Sequence, residues 1–401
     1  MFEKCPLPYG KQQNALSYLP KVRFFVFLIN MKISIAIEKF DPSQGGAEKY
    51  CWDLAHFLGS QGNEVEIICL KNVEPLSPLI NVTRVHPVKF PQFLRHLTYS
   101  ILHYLKVRKM DTSVNFCMGN TFYMDIYQPH GGSHFAWSEK ELLRYDPRIR
   151  ALMKFLRRVS LKNVVQRAME WWIFNVTKPE VIAISKMVKQ DIISWFDYPS
   201  DRIHLIPNGI DTNRFSVDNK VYMSEIRTKY GIDEAAFVFV FAATINLKLK
   251  GFDILVKACT HLKDIPFKVL IAGHSTSWAR NMVKKACLED RFIFAGKVHD
   301  MEKVYPSCNC LVHPSYYDAC SLVVLEALAS GIRVITTIAN GAGMFINSDN
   351  GYVISPRDAK GLSEAMRKAY SHYGRNIPMI SFKDQNSVFA EVDRVIKEHE
   401  E

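Results

Sequence analysis

Polar and apolar positions change rhythm repeatedly along this chain, and each change marks an element. Short apolar runs at 33–37, 63–70, 114–118, 181–185, 237–242, 269–273, 292–296, 308–314 and 333–337 read as buried strands. Between them apolar residues recur at three- and four-residue spacing, the mark of a helix with one buried face. One such stripe is Ala47, Cys51, Leu54, Phe57 and Leu58, and another is Leu255, Ala258 and Leu262. Leu94, Leu97, Ile101 and Leu105 predict a helix over 93–109 packed on a sheet, with Arg95, Lys106, Arg108 and Lys109 on a solvated face. Helices are also expected at 186–196, 361–371 and 389–399, the last crossing back to the first half. Strand and helix in alternation predict an α/β chain of parallel sheets, which carry ligand loops at the carboxyl ends of their strands.

The unit around 310–337 has the most chemistry in it. The run Cys310 to Pro314 ends at a proline, Leu322, Leu325 and Ala329 read as a short helix, and Gly331 stops it. Asp318 falls in the loop and Glu326 about two turns into the helix. A ligand along the helix start would set its anionic part on free N–H groups there. Carboxylates accept well from sugar hydroxyls, so the unit suits a molecule joining phosphates to sugars. A solvated Asp and a helix-surface Glu are the other reading of the spacing. Gly45 and Gly46 form a turn that lets backbone approach a ligand, or a purely structural one. His130 and His134 flank the Gly131-Gly132 turn, with Phe135 and Trp137 behind. Lys248 and Lys250 precede a helix whose N-terminus is already positive, which makes sense if an anion sits there too.

These residues carry a resemblance. His313-Pro314-Ser315-Tyr316-Tyr317-Asp318 through Glu326-Ala327-Leu328-Ala329-Ser330-Gly331 resembles the E-x7-E signature of retaining glycosyltransferases of family 4. Ile206-Pro207-Asn208-Gly209-Ile210-Asp211 resembles the I-P-N-G-V-D passage of that family, Gly45-Gly46-Ala47-Glu48 its G-G-x-E turn, and Lys250-Gly251 its phosphate-binding K-G. His134-Phe135-Ala136-Trp137 is similar to a stretch of lipopolysaccharide core glucosyltransferase-like members. The pattern departs where Asp318 replaces Glu, where Ala319-Cys320-Ser321 replaces Gly-Phe-Gly, and where Ile245 stands in place of an arginine.

The resemblance covers about 31–401 and implies the GT-B arrangement, two Rossmann-like domains facing across a cleft. An acceptor domain would span 31–205 and a nucleotide-sugar domain 206–375, with 376–401 returning to the first. It implies a retaining, metal-independent hexosyltransferase with no cofactor beyond its nucleotide-sugar donor. Lys248 and Lys250 would neutralise the diphosphate, with support from the backbone of Cys320, Ser321 and Leu322. Glu326 would meet the ribose and Asp318 the sugar. Gly45 and Gly46 would face the donor phosphates and the acceptor cleft, and His130 would touch the sugar near its anomeric carbon.

Composition adds four points. The chain has 401 residues, 48% of them hydrophobic, enough for two domains with real cores. Residues 1–30 carry Pro6, Pro8, Gly10 and Pro20 without periodicity; either Met31 is the natural start or they form a loosely attached extension. The nine cysteines form no C-x-x-C pair and read as buried reduced thiols, and Cys308 with Cys310 lacks zinc spacing. The net charge of +11 suggests an anionic partner. It concentrates at 144–174, where Leu152, Phe155, Leu156 and Val159 interleave with arginine and lysine and Trp171 and Trp172 follow. A single basic amphipathic helix there suits an anionic bilayer surface, and a core helix with a solvated basic face is the alternative. With no recognisable nucleic-acid motif, the partners expected are a nucleotide-sugar, a glycan or glycolipid acceptor such as lipopolysaccharide core, and the inner face of the cytoplasmic membrane. A sugar-nucleotide epimerase and a non-catalytic lipid- or glycan-binding protein are the rival readings.

Overall fold

In the computed structural model, residues 31–243, 246–375, 377–378 and 380–400 are described. The expected extension at 1–30 and Ile245 lie outside them. The first sheet contains β1 (Lys32–Ala36), β2 (Glu64–Cys69), β3 (Ile80–Arg84), β4 (Val114–Cys117), β5 (Ile126–Tyr127), β6 (Glu180–Ala183) and β7 (Ile203–Leu205). Its order is β3-β2-β1-β4-β5-β6-β7, parallel throughout. The second contains β8 (Val238–Ala242), β9 (Lys268–Ala272), β10 (Phe292–Gly296), β11 (Cys310–His313), β12 (Arg333–Thr337) and β13 (Gly351–Ile354). Its order is β10-β9-β8-β11-β12-β13, also parallel. Each sheet therefore reverses its strand order beside its first strand, between β1 and β4 and between β8 and β11. Ligands of open parallel sheets bind at that switch point.

Helices cover the sheets. The helices used below are α1 (Gly46–Ser60), α2 (Gln92–Val107), α3 (His134–Lys140), α4 (Pro147–Val159), α5 (Leu161–Trp172), α6 (Lys186–Phe196), α7 (Phe252–Thr260), α8 (Leu322–Ala329), α9 (Ala359–Ser371) and α10 (Gln385–Glu400). β8 is buried at every residue, as a strand covered on both faces must be. α7 and α9 cover its sheet through Leu255, Ala258, Leu362 and Met366. α10 lies on the first domain, where Val388, Phe389 and Val392 join Ile33 and Leu54 in one cluster. Gln385 fixes it there by donating to Asp53 at 2.7 Å.

Two local readings are corrected. On α2 the buried positions are Tyr99, Ser100, His103 and Val107, while Ile101 and Leu105 are exposed. α2 packs against α5 as well as its sheet, and Tyr99 donates its hydroxyl to the Ile68 carbonyl. This rotates the apolar stripe of the sequence away from the core. Nor is Arg95 simply solvated, since it pairs with Glu38 at 3.2 Å. The single basic helix is two, broken at Ser160, whose extended backbone ends α4 and caps α5. At the break the Arg157 carbonyl accepts from both the Ser160 N–H and the Asn163 side chain, at 3.3 and 3.2 Å. Of the cysteines described, seven are buried and free, and Cys287 is free and exposed.

Candidate active site

The second sheet's switch point brings two loops together. Lys250 stands on the loop between β8 and α7, and Asp318 on the loop between β11 and α8. Gly251 has φ +80, and a Cβ there would lie 2.0 Å from the Pro314 carbonyl oxygen. Glycine is thus required for the two loops to touch. The Lys250 ammonium donates to Asp318 Oδ2 at 2.6 Å, and His313 Nε2 lies 3.4 Å from the same oxygen. Ser321 Oγ is 3.3 Å from that His313 nitrogen. Burial alone would raise the Asp318 carboxyl, but Lys250 and His313 outweigh it and hold the group well below the usual carboxylate range. Burial pushes His313 down. The neighbourhood of Asp318 is therefore a carboxylate, an ammonium and a neutral imidazole at neutral pH.

α8 begins beside this cluster. Ser321 is its N-cap and makes no side-chain cap bond, so the positive end of the helix is left for another partner. The Ser321 N–H donates to Asn340 Oδ1 at 3.3 Å. Cys320 is buried, and its carbonyl accepts from Asn208 Nδ2 at 3.4 Å. Glu326, half-buried on the same helix, accepts from the Tyr305 hydroxyl at 2.9 Å. Burial raises its carboxyl, against the pull of Tyr305 and Arg214.

The first domain closes on this surface. A Cβ at Gly46 would sit 3.0 Å from Leu322 Cδ1, and one at Gly132 2.0 Å from the Tyr317 hydroxyl. Ser185 donates to the Ala319 carbonyl at 2.7 Å, and a side chain at Gly341 would meet both groups. Gly45 approaches only its own helix, with Glu48 Oε2 2.7 Å from where its Cβ would be. The His130 ring lies tilted against Tyr50, centroids 4.3 Å apart, its Nε2 buried and unpartnered among the described residues. Burial lowers its pKa to about 3, so it is a neutral imidazole. A cavity of about 550 Å³ opens at the first sheet's switch point, lined by Glu38, Gly119, Gly131, Gly132, His134 and Lys162 among others.

Lys250, Asp318 and the α8 start with Cys320, Ser321 and Leu322 thus form one surface, Glu326 lies on the same helix, and Gly46 faces it. Lys248 does not join Lys250. It is exposed, with its ammonium 5.9 Å from the centre of the Tyr145 ring. Several residues here have no distinct sequence signal. His313 and Tyr317 fall inside the signature stretch without a role of their own in it, and Tyr305 has no motif around it. Glu170 lies within the basic run at 144–174 with no motif around it. It is buried, and its carboxylate accepts from the His134 and Phe135 N–H groups at 2.8 and 2.9 Å. It thereby caps α3 and fixes the histidine turn.

Comparisons with known proteins bear on the family and the fold. Two family models match, glycosyl transferases group 1 over 223–378 and glycosyltransferase family 4 over 126–214. An uncharacterised glycosyltransferase of Methanocaldococcus jannaschii is 25% identical over 364 residues, 86% of this chain and 90% of its own length. Among solved structures, WaaG, a glycosyltransferase involved in lipopolysaccharide biosynthesis, superposes with a TM-score of 0.74 at 19% identity, covering 91% of this chain and 99% of its own. The Anabaena protein HepE in complex with UDP-glucose superposes with a TM-score of 0.65 at 16% identity, over 92% of this chain and 98% of its own. At such identities the superpositions carry the fold.

Proposed function

We propose, from the premise that this chain is a glycosyltransferase of the family-4, GT-B type, that it moves a hexose from a nucleotide-sugar to a cell-envelope glycan with retention and without a metal. One observation carries the reading. A lysine, a carboxylate held ionised and an uncapped helix start meet at the second sheet's switch point, facing a glycine turn of the other domain.

In this scheme the donor diphosphate lies on the α8 start and draws the Lys250 ammonium from Asp318. That cation, fixed before reaction, stabilises charge growing on the leaving phosphate, which is usually the largest catalytic contribution. Asp318 is then free to accept from the sugar, and Glu326 from the ribose. The acceptor hydroxyl oxygen bonds to the anomeric carbon as the bond from that carbon to phosphate oxygen breaks. The hydroxyl proton passes to the departing phosphate, on the same face of the sugar. No covalent sugar–enzyme intermediate enters this scheme. Domain closure supplies the proximity.

The acceptor is proposed to be membrane-linked. On α4, Leu152 is 57% and Phe155 61% exposed, and Ile149, Leu156 and Val159 share their face. Charges on other faces of the helix grip the domain, Lys154 on Glu139 at 2.6 Å and Arg157 on Glu141. The helix thus turns its apolar side outward, with Arg148 and Arg158 exposed beside it. This geometry suits the interface of an anionic bilayer. Transfer is tested by proton NMR of the product formed from an α-linked donor: an α-linked product is expected, and a β-linked one contradicts retention.

A further inference from the structure

The cavity at the first sheet's switch point has a charge pattern that the donor reading does not use. Lys39 follows β1, Arg95 and His96 come from α2, and Lys162 comes from the first turn of α5, and all four line it. The acids on its wall are Glu38 and Glu48. Glu38 is already held by Arg95 at 3.2 Å and by His96 at 2.9 Å. Lys162 is exposed and makes no ion pair with any described acid. Lys39, Arg95 and Lys162, gathered from separate elements around one concavity, repel one another, and an anion relieves that repulsion. His134 on the same wall records the field: burial first, then Arg167, Lys162, Arg157 and His96, push its pKa down to about 4.

We propose that this cavity holds the acceptor through a phosphate ester, with Lys162 as its principal donor. The inference rests on the transferase reading and narrows its acceptor to phosphorylated sugars. Location supports it. Gly132 borders both the cavity and the Tyr317 loop, so a sugar anchored here by its phosphate would lie beside the loop that carries Asp318. The donor phosphates have their own cation and helix start in the other domain. The phosphate could belong to a soluble sugar or to a glycolipid, because the cavity includes the start of α5, whose Leu161 and Val164 are exposed.

Calorimetric titration of the full chain with glucose 6-phosphate and with glucose tests this. A charge-assisted hydrogen bond to phosphate contributes about 1.5–3 kcal/mol, so glucose 6-phosphate should bind at least about tenfold more tightly than glucose. Lys162→Ala should weaken glucose 6-phosphate by a similar factor, and Lys162→Arg should largely restore it. Lys162 is exposed, so a folding failure does not confuse the result. Vesicles containing phosphatidic acid are then added as competitor. Displacement of glucose 6-phosphate supports the site with a lipid-borne phosphate, and no displacement supports it with a soluble one. Equal binding of the two sugars, binding of neither, or an indifferent Lys162→Ala overturns the proposal. A donor thermal shift on the same preparation separates the two readings. A donor response without phosphate preference defeats this inference alone, and phosphate preference without a donor response counts against the transferase.

Discussion

At the scale of single residues, the account turns on Lys250. Among the described residues, its ammonium is the lysine or arginine cation that meets the Asp318 carboxylate, at 2.6 Å. Lys250→Ala should lower kcat by the equivalent of about 3–4 kcal/mol, like the loss of an oxyanion-hole donor. Activity within a factor of about two of wild type, read by steady-state kinetics, would contradict its assignment to the leaving phosphate. Lys250 and Asp318 were legible in the sequence because each stands at a fixed offset from a glycine or helix signal. His313 was not, because a histidine inside an apolar run looks like strand. What gives it a role is the ring nitrogen it sets beside Asp318, a product of the β11 register. Lys248 differs from Lys250: its spacing suggests a second phosphate cation, and its ammonium stands 5.9 Å from the centre of the Tyr145 ring.

At the scale of elements, periodicity gave the strands and most helices, and missed what depends on neighbours. The stripe on α2 misled because α5 covers part of that helix, which no local pattern records. On α4 the apolar stripe is real but faces outward. Phe155→Glu should weaken binding to vesicles of anionic lipid at least about tenfold, given that one buried large side chain contributes about 1.5–3 kcal/mol. Unchanged co-sedimentation with such vesicles would contradict the membrane role. Glu170 ties α5 to the histidine turn, and burial raises its carboxyl to about 7. The folded chain therefore keeps the proton where the unfolded chain, with a value of 4.5, has lost it. The resulting stability is complete below the unfolded value and is lost as pH rises through about 7. Glu170→Gln cannot titrate, so the wild-type thermal midpoint should fall relative to that of the variant between these two values. Parallel profiles would contradict the buried carboxyl.

At the scale of the molecule, two sheets of the same strand order face each other, and each switch point has its own task. The second gathers Lys250, Asp318 and the α8 start, and the first opens the cavity. Alternation of strand and helix made the α/β class and the parallel sheets legible. The closeness of the halves was not, because it depends on contacts such as Ser185 with Ala319 and Gly132 with Tyr317 that join distant segments. The central claim is that the second domain holds a nucleotide-sugar by charge fixed in the protein. The direct measurement is a thermal-shift and hydrolysis screen of UDP-, GDP- and ADP-sugars, with and without EDTA. A single donor that stabilises the chain and is slowly hydrolysed, equally in EDTA, is the result expected. Loss of that response in EDTA would contradict the metal-free site, and no response to any donor would contradict the nucleotide-sugar site itself.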